Sequence, residues 1–395
     1  MESTSTKPDS DGWSSYSLAE RDRRWNAVRE RGRAAGLDCV FVPLGAGLDS
    51  CYLTQLRGSV QTSCIAIPTD GGAPIVVTDR GSNDWVPDPR HCRRDFAEPV
   101  AQALVDAVQP NARIGVVGLH GGLVTHVRVP DGVVNDTAFA AAMLRLPNAT
   151  FEDATDLLGF VRFVKSDEEF AALRRAVGIA EAGIEVLVQA ARPGMEVAIL
   201  YAHAFERMLA MGSHYYPLTL TIGSHAHSQS QRYVDVPRGV GLAEGSVIGA
   251  EVSAVWDWQL AEEVQPIVLG PMPESWKPVV DLQREAFETG LAHMRPGTTF
   301  GELIDAVNRL GRSGMTVEAV LYGCGYGDDG PLVIGDAFRP EARDLHIEAG
   351  NAFVWKPTVI SADGRVRYAC GGAIAVTPNG AERLGKRDHG PVSIT

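Results

Sequence analysis

Long apolar runs are missing from this sequence. The longest, such as CVFVPL and RIGVVG, are strand-sized and far short of a bilayer span, so no membrane segment is expected. A basic excess is missing too: 36 Lys and Arg stand against 49 Asp and Glu, a net charge of -13 at pH 7. Phosphate binding needs a basic face, so a nucleic-acid partner is set aside. Cysteine is sparse and unpatterned. The six (Cys39, Cys51, Cys64, Cys92, Cys324, Cys370) include no C-x-x-C pair, which argues against a zinc site or a disulfide framework and fits reduced thiols in a cytoplasm. The N-terminal MESTSTKPDSDGWSS is polar and has no apolar h-region. No secretion signal is expected, and residues 1–16 read as a disordered tail.

What is present suits a soluble globular chain. It has 395 residues, 45% hydrophobic and 22% charged, enough for two or three domains with large cores. The first part alternates helix and strand signals. LAERDRRWNAVRERGRAAG (18–36) is helical with Gly36 in its C-cap region, CVFVPL is a buried strand, and SCIAIP and PIVVT flank the turn TDGGA. PVAQALVDAV is helical, RIGVVG is a strand and DTAFAAAMLRL is a helix, which makes residues 17–160 an α/β domain.

At Lys165 the texture changes. KSDEEFAALRRAVGIAEAGIEVLVQAA is a long helix, with Ser166 and Glu169 at capping-box spacing. Arg-Pro-Gly then occurs at 192–194 and again at 295–297, each time after one long helix and before another. Two copies suggest an internal duplication and not a solenoid. Strand-rich segments lie between and after them (YYPLTLTIGS, SVIGAEVSAVW, QLAEEVQPIVLG, NAFVWKPTVIS, RVRYACGGAIAVT), so residues 161–390 read as an α+β domain.

Between roughly Ser17 and Gly380 the chain resembles the creatinase / aminopeptidase P / methionine aminopeptidase family. LDSCYLTQLRG is similar to a motif in the N-terminal domain of the creatinase and prolidase branch, VRFVKSDEEFAALRRA to the linker and first helix of the catalytic domain, and the two Arg-Pro-Gly helices to the family's pseudo-twofold repeat. The resemblance implies an α/β creatinase-like N-terminal domain and an α+β pita-bread C-terminal domain. It also implies a homodimer, with the N-terminal domain of one subunit near the other's pocket.

Metallopeptidases of that family hold two metals with two Asp, one His and two Glu. Aligned on VLG (268–270), the Asp positions fall on Glu251 and Glu262. Cys324 in GCGYG stands at the His position, Lys356 in VWKP at the first Glu position, and the last Glu falls near Gly371. No metal and no other cofactor is therefore expected. A hairpin turning at Trp256–Asp257 sets Glu251 directly opposite Glu262, where two like charges need a cation, a shared proton or water. Lys356, brought to the same pocket by the alignment, can supply that cation; an inert salt-bridge relic is the plainer alternative.

Other candidates follow from position and chemistry. His225 and His227 alternate in GSHAHSQSQRY, the region where the resemblance puts a substrate-facing His. Either can carry protons at neutral pH, with His214 a third choice. Tyr322, Tyr326, Arg232 and Arg367 are candidate anchors for an anionic substrate. Cys324 is either a nucleophile or a small buried residue in the volume of the lost His. Trp256 and Trp258 are read as packing. The expected activity is metal-independent hydrolysis of a C–N bond, amidino or amide-type, in a small polar carboxylate-bearing molecule, by analogy with creatinase. Three alternatives stay open: a lyase working by β-elimination, a metal-dependent hydrolase built on Glu251, Glu262, Cys324 and a His, and a non-catalytic binding homologue.

Overall fold

The computed structural model describes residues 16–394 apart from 44–47, 57–62, 80, 94, 125–133, 135, 230, 234, 235, 237, 327, 328 and 336–339. The expected tail lies outside the described residues except for Tyr16. That residue is buried; its ring meets Trp85 and its carbonyl accepts the Trp85 indole N–H. The chain divides into two units at Phe163/Val164, three residues beyond the boundary read from sequence, because helix 155–163 stays with the first unit. Among the described residues no helix is long and apolar enough to cross a membrane.

The first unit carries helices α1 (Leu18–Ala34), α2 (Leu48–Thr54), α3 (Ala97–Ala107), α4 (Asp136–Arg145) and α5 (Thr155–Phe163). Its strands are β1 (Cys39–Val42), β2 (Ser63–Pro68), β3 (Ile75–Thr78), β4 (Arg90–His91), β5 (Arg113–Val116) and β6 (Thr150–Asp153). They form one mixed sheet in the order β4-β3-β2-β1-β5-β6. Strands β1 and β2 are buried at every position, as their unbroken apolar runs require. Cys39 and Cys64 lie in this core as free thiols, pushed up to about 12 by burial.

The second unit opens with α6 (Asp167–Ala190) and α7 (Val197–Ala210) and continues, after four strands, with α8 (Lys277–His293) and α9 (Phe300–Asn308). The capping box at α6 is complete: Ser166 Oγ accepts the Glu169 N–H, and Glu169 accepts the Ser166 N–H. Ser166→Ala is expected to cost about 1 kcal/mol in urea denaturation. Both Arg-Pro-Gly turns join a long helix to the next one, with Gly194 and Gly297 at φ 84 and 93.

The strands of this unit are β7 (Thr219–Ser224), β8 (Gln231–Tyr233), β9 (Ser246–Trp256), β10 (Gln259–Leu269), β11 (Thr316–Glu318), β12 (Val320–Gly323) and β13 (Val333–Ile334). After them come β14 (Ala352–Trp355), β15 (Thr358–Ile360), β16 (Arg367–Ala369), β17 (Gly371–Thr377), β18 (Gly380–Arg383) and β19 (Val392–Ile394). A ten-stranded sheet runs β13-β12-β14-β17-β10-β9-β7-β8, with β18 on β17 and β19 on β10, and β11-β15-β16 form a small second sheet.

Two local features place the site. First, β14 ends at Trp355 because Pro357 has no N–H to offer a ladder, and the chain passes into the small sheet at β15. Lys356 stands at that parting of the sheets. Second, the β9–β10 hairpin turns one residue later than the sequence suggests. Asp257 and Trp258 both have positive φ (48 and 66), the signature of a two-residue I′ turn, so Trp256 pairs with Gln259. Glu262 is consequently opposite Ser253, and Glu251 opposite Val264. The expected direct Glu251–Glu262 pairing is thus corrected to a diagonal one.

Candidate functional site

Alternation along the hairpin decides which side chains share a face. Ile248, Ala250, Val252 and Ala254 of β9, with Ile267 and Leu269 of β10, join the core beneath α6 and α7. Their neighbours Glu251, Ser253 and Glu262 therefore fall on the opposite face. There Lys356 Nζ lies 2.9 Å from Glu262 Oε1 and 3.2 Å from Glu251 Oε2. Ser253 donates to Glu262 Oε2 at 3.0 Å, and the Tyr322 hydroxyl donates to Oε1. The Lys356 ammonium also sits 5.1 Å above the Tyr322 ring.

These partners set the charges. Burial disfavours a charged Glu262, but Lys356, Tyr322 and Ser253 together outweigh it and hold its carboxyl below the ordinary glutamate value. Burial likewise disfavours the Lys356 cation, and Glu262 and Glu251 outweigh that to hold its amine above the ordinary lysine value. Lys356 is therefore a fixed positive charge at neutral pH. Glu251 is the open member. Its contacts with Lys356 and Arg232 both use Oε2, and among the described residues Oε1 accepts no hydrogen bond. Arg232 touches Glu251 at 3.4 Å with its side chain 62% exposed.

The remaining candidates make other contacts. Arg367 pairs with Glu318 at 2.7 Å, and the Ser228 hydroxyl links its backbone to the loop after β7. That loop carries both histidines. His225 is half-buried against Trp276, which donates its indole N–H to the His225 carbonyl. His227 is exposed, and its backbone N–H closes a turn onto Ser224. His214 is at the far end of β9, its ring tilted against Trp258 with centroids 4.8 Å apart. Cys324 is buried in a core cluster with Leu173, Val177 and Val354, and Tyr326 is buried as well. Trp256 packs over Gly212, beneath Arg175.

Sequence reasoning missed Ser253, although its two-residue spacing from Glu251 puts it on the same face. It also missed Glu263, which points to the opposite face and is buried. Burial pushes the Glu263 carboxyl up to about 8, with Glu181 and Glu262 adding to the effect against the Ala373 N–H and Arg383. The native state thus keeps a proton that the unfolded chain releases near pH 4.5. Stability should fall as pH rises from about 4.5 to about 8 on this account and level off above it. Glu263→Gln is expected to remove that slope in thermal melts across the window; an unchanged slope would assign it to another group.

The donor set does not fit a dinuclear metal centre. Among the described residues no group of three or more His, Cys, Asp or Glu is arranged to hold a metal ion, and an ammonium bridges the two glutamates. Near the expected place of the last ligand, a Cβ on Gly371 would lie 2.0 Å from the Trp355 carbonyl oxygen and 2.9 Å from Lys356 Cα, so backbone fills the space a side chain would need.

Comparison with known proteins gives one family. The model of metallopeptidase family M24 matches residues 171–378. An uncharacterized hydrolase/peptidase of Sinorhizobium fredii is 24% identical over 320 residues, 79% of this chain and 80% of that one. Among solved structures, the X-Pro aminopeptidase from Thermotoga maritima superposes with a TM-score of 0.74 at 16% identity, over 94% of this chain and 99% of that one. The Xaa-Pro dipeptidase from Bacillus anthracis gives 0.74 at 15%, over 95% and 100%. At these identities the likeness to solved structures is one of fold, two domains with a pita-bread sheet in the second.

Proposed function

The chain belongs to metallopeptidase family M24, and on that footing we propose that it is a metal-independent hydrolase cleaving an amidino or amide-type C–N bond in a small polar molecule that bears a carboxylate. One observation carries the reading: the Lys356 ammonium is lodged between Glu251 and Glu262, the two positions that the family resemblance makes metal-binding carboxylates. A lysine there keeps the acidic pair neutralised and offers fixed positive charge to a developing anion.

In this reading Glu251, through its open oxygen, takes a proton from the attacking water as the new C–O bond forms. The C–N bond then breaks, and the leaving nitrogen receives a proton from Glu251 or from His227, the more exposed of the two loop histidines. Arg232, exposed beside Glu251, binds the substrate carboxylate. Glu262, engaged by three donors, holds Lys356 in place and does not turn over. The raised affinity of Lys356 for its proton disfavours elimination with that lysine as base. The protein is further proposed to act as a homodimer in the cytoplasm.

The fold neighbours named for Xaa-Pro substrates supply the rival, a peptidase acting on Xaa-Pro dipeptides. The decisive assay offers amidino acids and Xaa-Pro dipeptides to the purified protein with and without EDTA, alongside elemental analysis. The expected result is chelator-resistant turnover of an amidino or amide substrate. Stoichiometric transition metal, with turnover lost to EDTA, would overturn it.

A further inference from the structure

Gly323 and Gly325 flank Cys324, and the space left by their missing side chains is occupied. A Cβ on Gly323 would lie 1.6 Å from the Asp329 carbonyl oxygen; one on Gly325 would lie 2.2 Å from Asp329 Oδ2 and 2.5 Å from Lys165 Nζ. The glycines therefore admit an internal ion pair. Lys165 Nζ and Asp329 Oδ2 are 2.6 Å apart, each side chain 1% exposed. The same Oδ2 accepts the Tyr326 N–H at 3.0 Å, and the Lys165 N–H is tied to the Gly350 carbonyl just ahead of α6.

The segment so held continues to the site. Gly325 and Leu260 exchange both backbone hydrogen bonds, at 2.9 and 3.0 Å. Leu260 is two residues before Glu262 on β10, and Tyr322, three residues before Gly325, donates to Glu262. Outside this bridge, among the described residues, β12 is laddered to β13 and β14 and reaches β10 only by way of β14 and β17. Beside the ladder that runs through β14 and β17, this short bridge links the Tyr322 segment to β10 directly, and the buried ion pair lies behind it.

We propose that Lys165 and Asp329 are positioning residues for the site: their ion pair presses the Tyr322–Tyr326 segment onto β10 so that the Tyr322 hydroxyl reaches Glu262. The pair thereby governs how Glu262 divides its negative charge between Tyr322 and Lys356. This rests on reading Glu262 and Lys356 as the working site, and its test uses no turnover, so either idea can fail alone.

The test follows the phenol carbon of Tyr322 by NMR in full-length protein carrying ring-labelled tyrosine, the signal assigned with Tyr322→Phe. Glu262→Gln weakens the acceptor and defines the displacement that loss of the charged hydrogen bond produces. Lys165→Met/Asp329→Asn is expected to move the signal in the same direction by at least half as much. Lys277→Met, which breaks an exposed pair with Asp281, is expected to leave it in place. Should the double variant not fold, Lys165→Arg serves instead, since a guanidinium exceeds the slot at Gly325 and must displace the segment. A folded variant of either kind whose Tyr322 signal matches wild type would overturn the proposal and leave the pair a purely structural one.

Discussion

Lys356→Met is expected to lose about 3–5 kcal/mol of stability at neutral pH, because it leaves buried carboxylates without their counter-charge. Lys356 and Glu262 have side chains 9% and 8% exposed, so water cannot replace the lost contact, while Glu251, at 21%, is partly relieved by solvent and by Arg232. The Glu262 contribution to the pH response should also reverse, adding in the variant to the fall with rising pH that Glu263 gives both proteins. In the wild type the Glu262 carboxyl is held below its ordinary value, so its stabilisation is in place above the ordinary glutamate range and is lost as pH falls through the lower folded value. Without Lys356, burial governs and the carboxyl rises above the ordinary range. The variant then gains stability as pH falls toward that range. Urea titrations at neutral and mildly acidic pH read both effects; a wild-type-like slope would mean that Lys356 is not what holds Glu262 ionised.

Gly371→Glu, which puts an acid near where the family resemblance has its last ligand, is expected to damage the fold instead of rebuilding a metal site. The new Cβ would collide with the backbone of Trp355 and Lys356, and backbone cannot rotate away as a side chain can. Overpacking costs about 1–3 kcal/mol where side chains can shift, and an obstacle of backbone puts this change at the upper end. It should appear as lost soluble yield or a lowered melting temperature, with or without added divalent metal. Gly178→Ala is the matching control. Nothing lies within 4 Å of the position its Cβ would take on the exposed side of α6, so that change should stabilise by about 1 kcal/mol. A soluble, metal-binding Gly371→Glu protein would show that β14 and β17 can part after all.

Much of the fold was legible because its signals are local. The Ser166–Glu169 cap, the turns after the long helices and the apolar runs of β1 and β2 each need only neighbouring residues. The hairpin was misplaced by one residue because Trp258 takes a left-handed backbone that its side chain gives no reason to expect; a tilted ring contact with His214 accompanies it there. That single shift trades a head-on pair of glutamates for a diagonal one and gives Glu262 a serine partner. Lys165 and Asp329 were beyond reach for a different reason. Their bond spans 164 residues, and nothing near either one in the chain marks the other.

Strand β10 is buried at all eleven positions and has strand partners on both edges. Its amides should therefore be among the last to take up deuterium, opening only with global unfolding of the second unit. Glu262 is thus mounted on the least yielding part of that unit. Selectivity must then come from how well a molecule matches a preset arrangement, and tighter binders should differ chiefly in how slowly they leave.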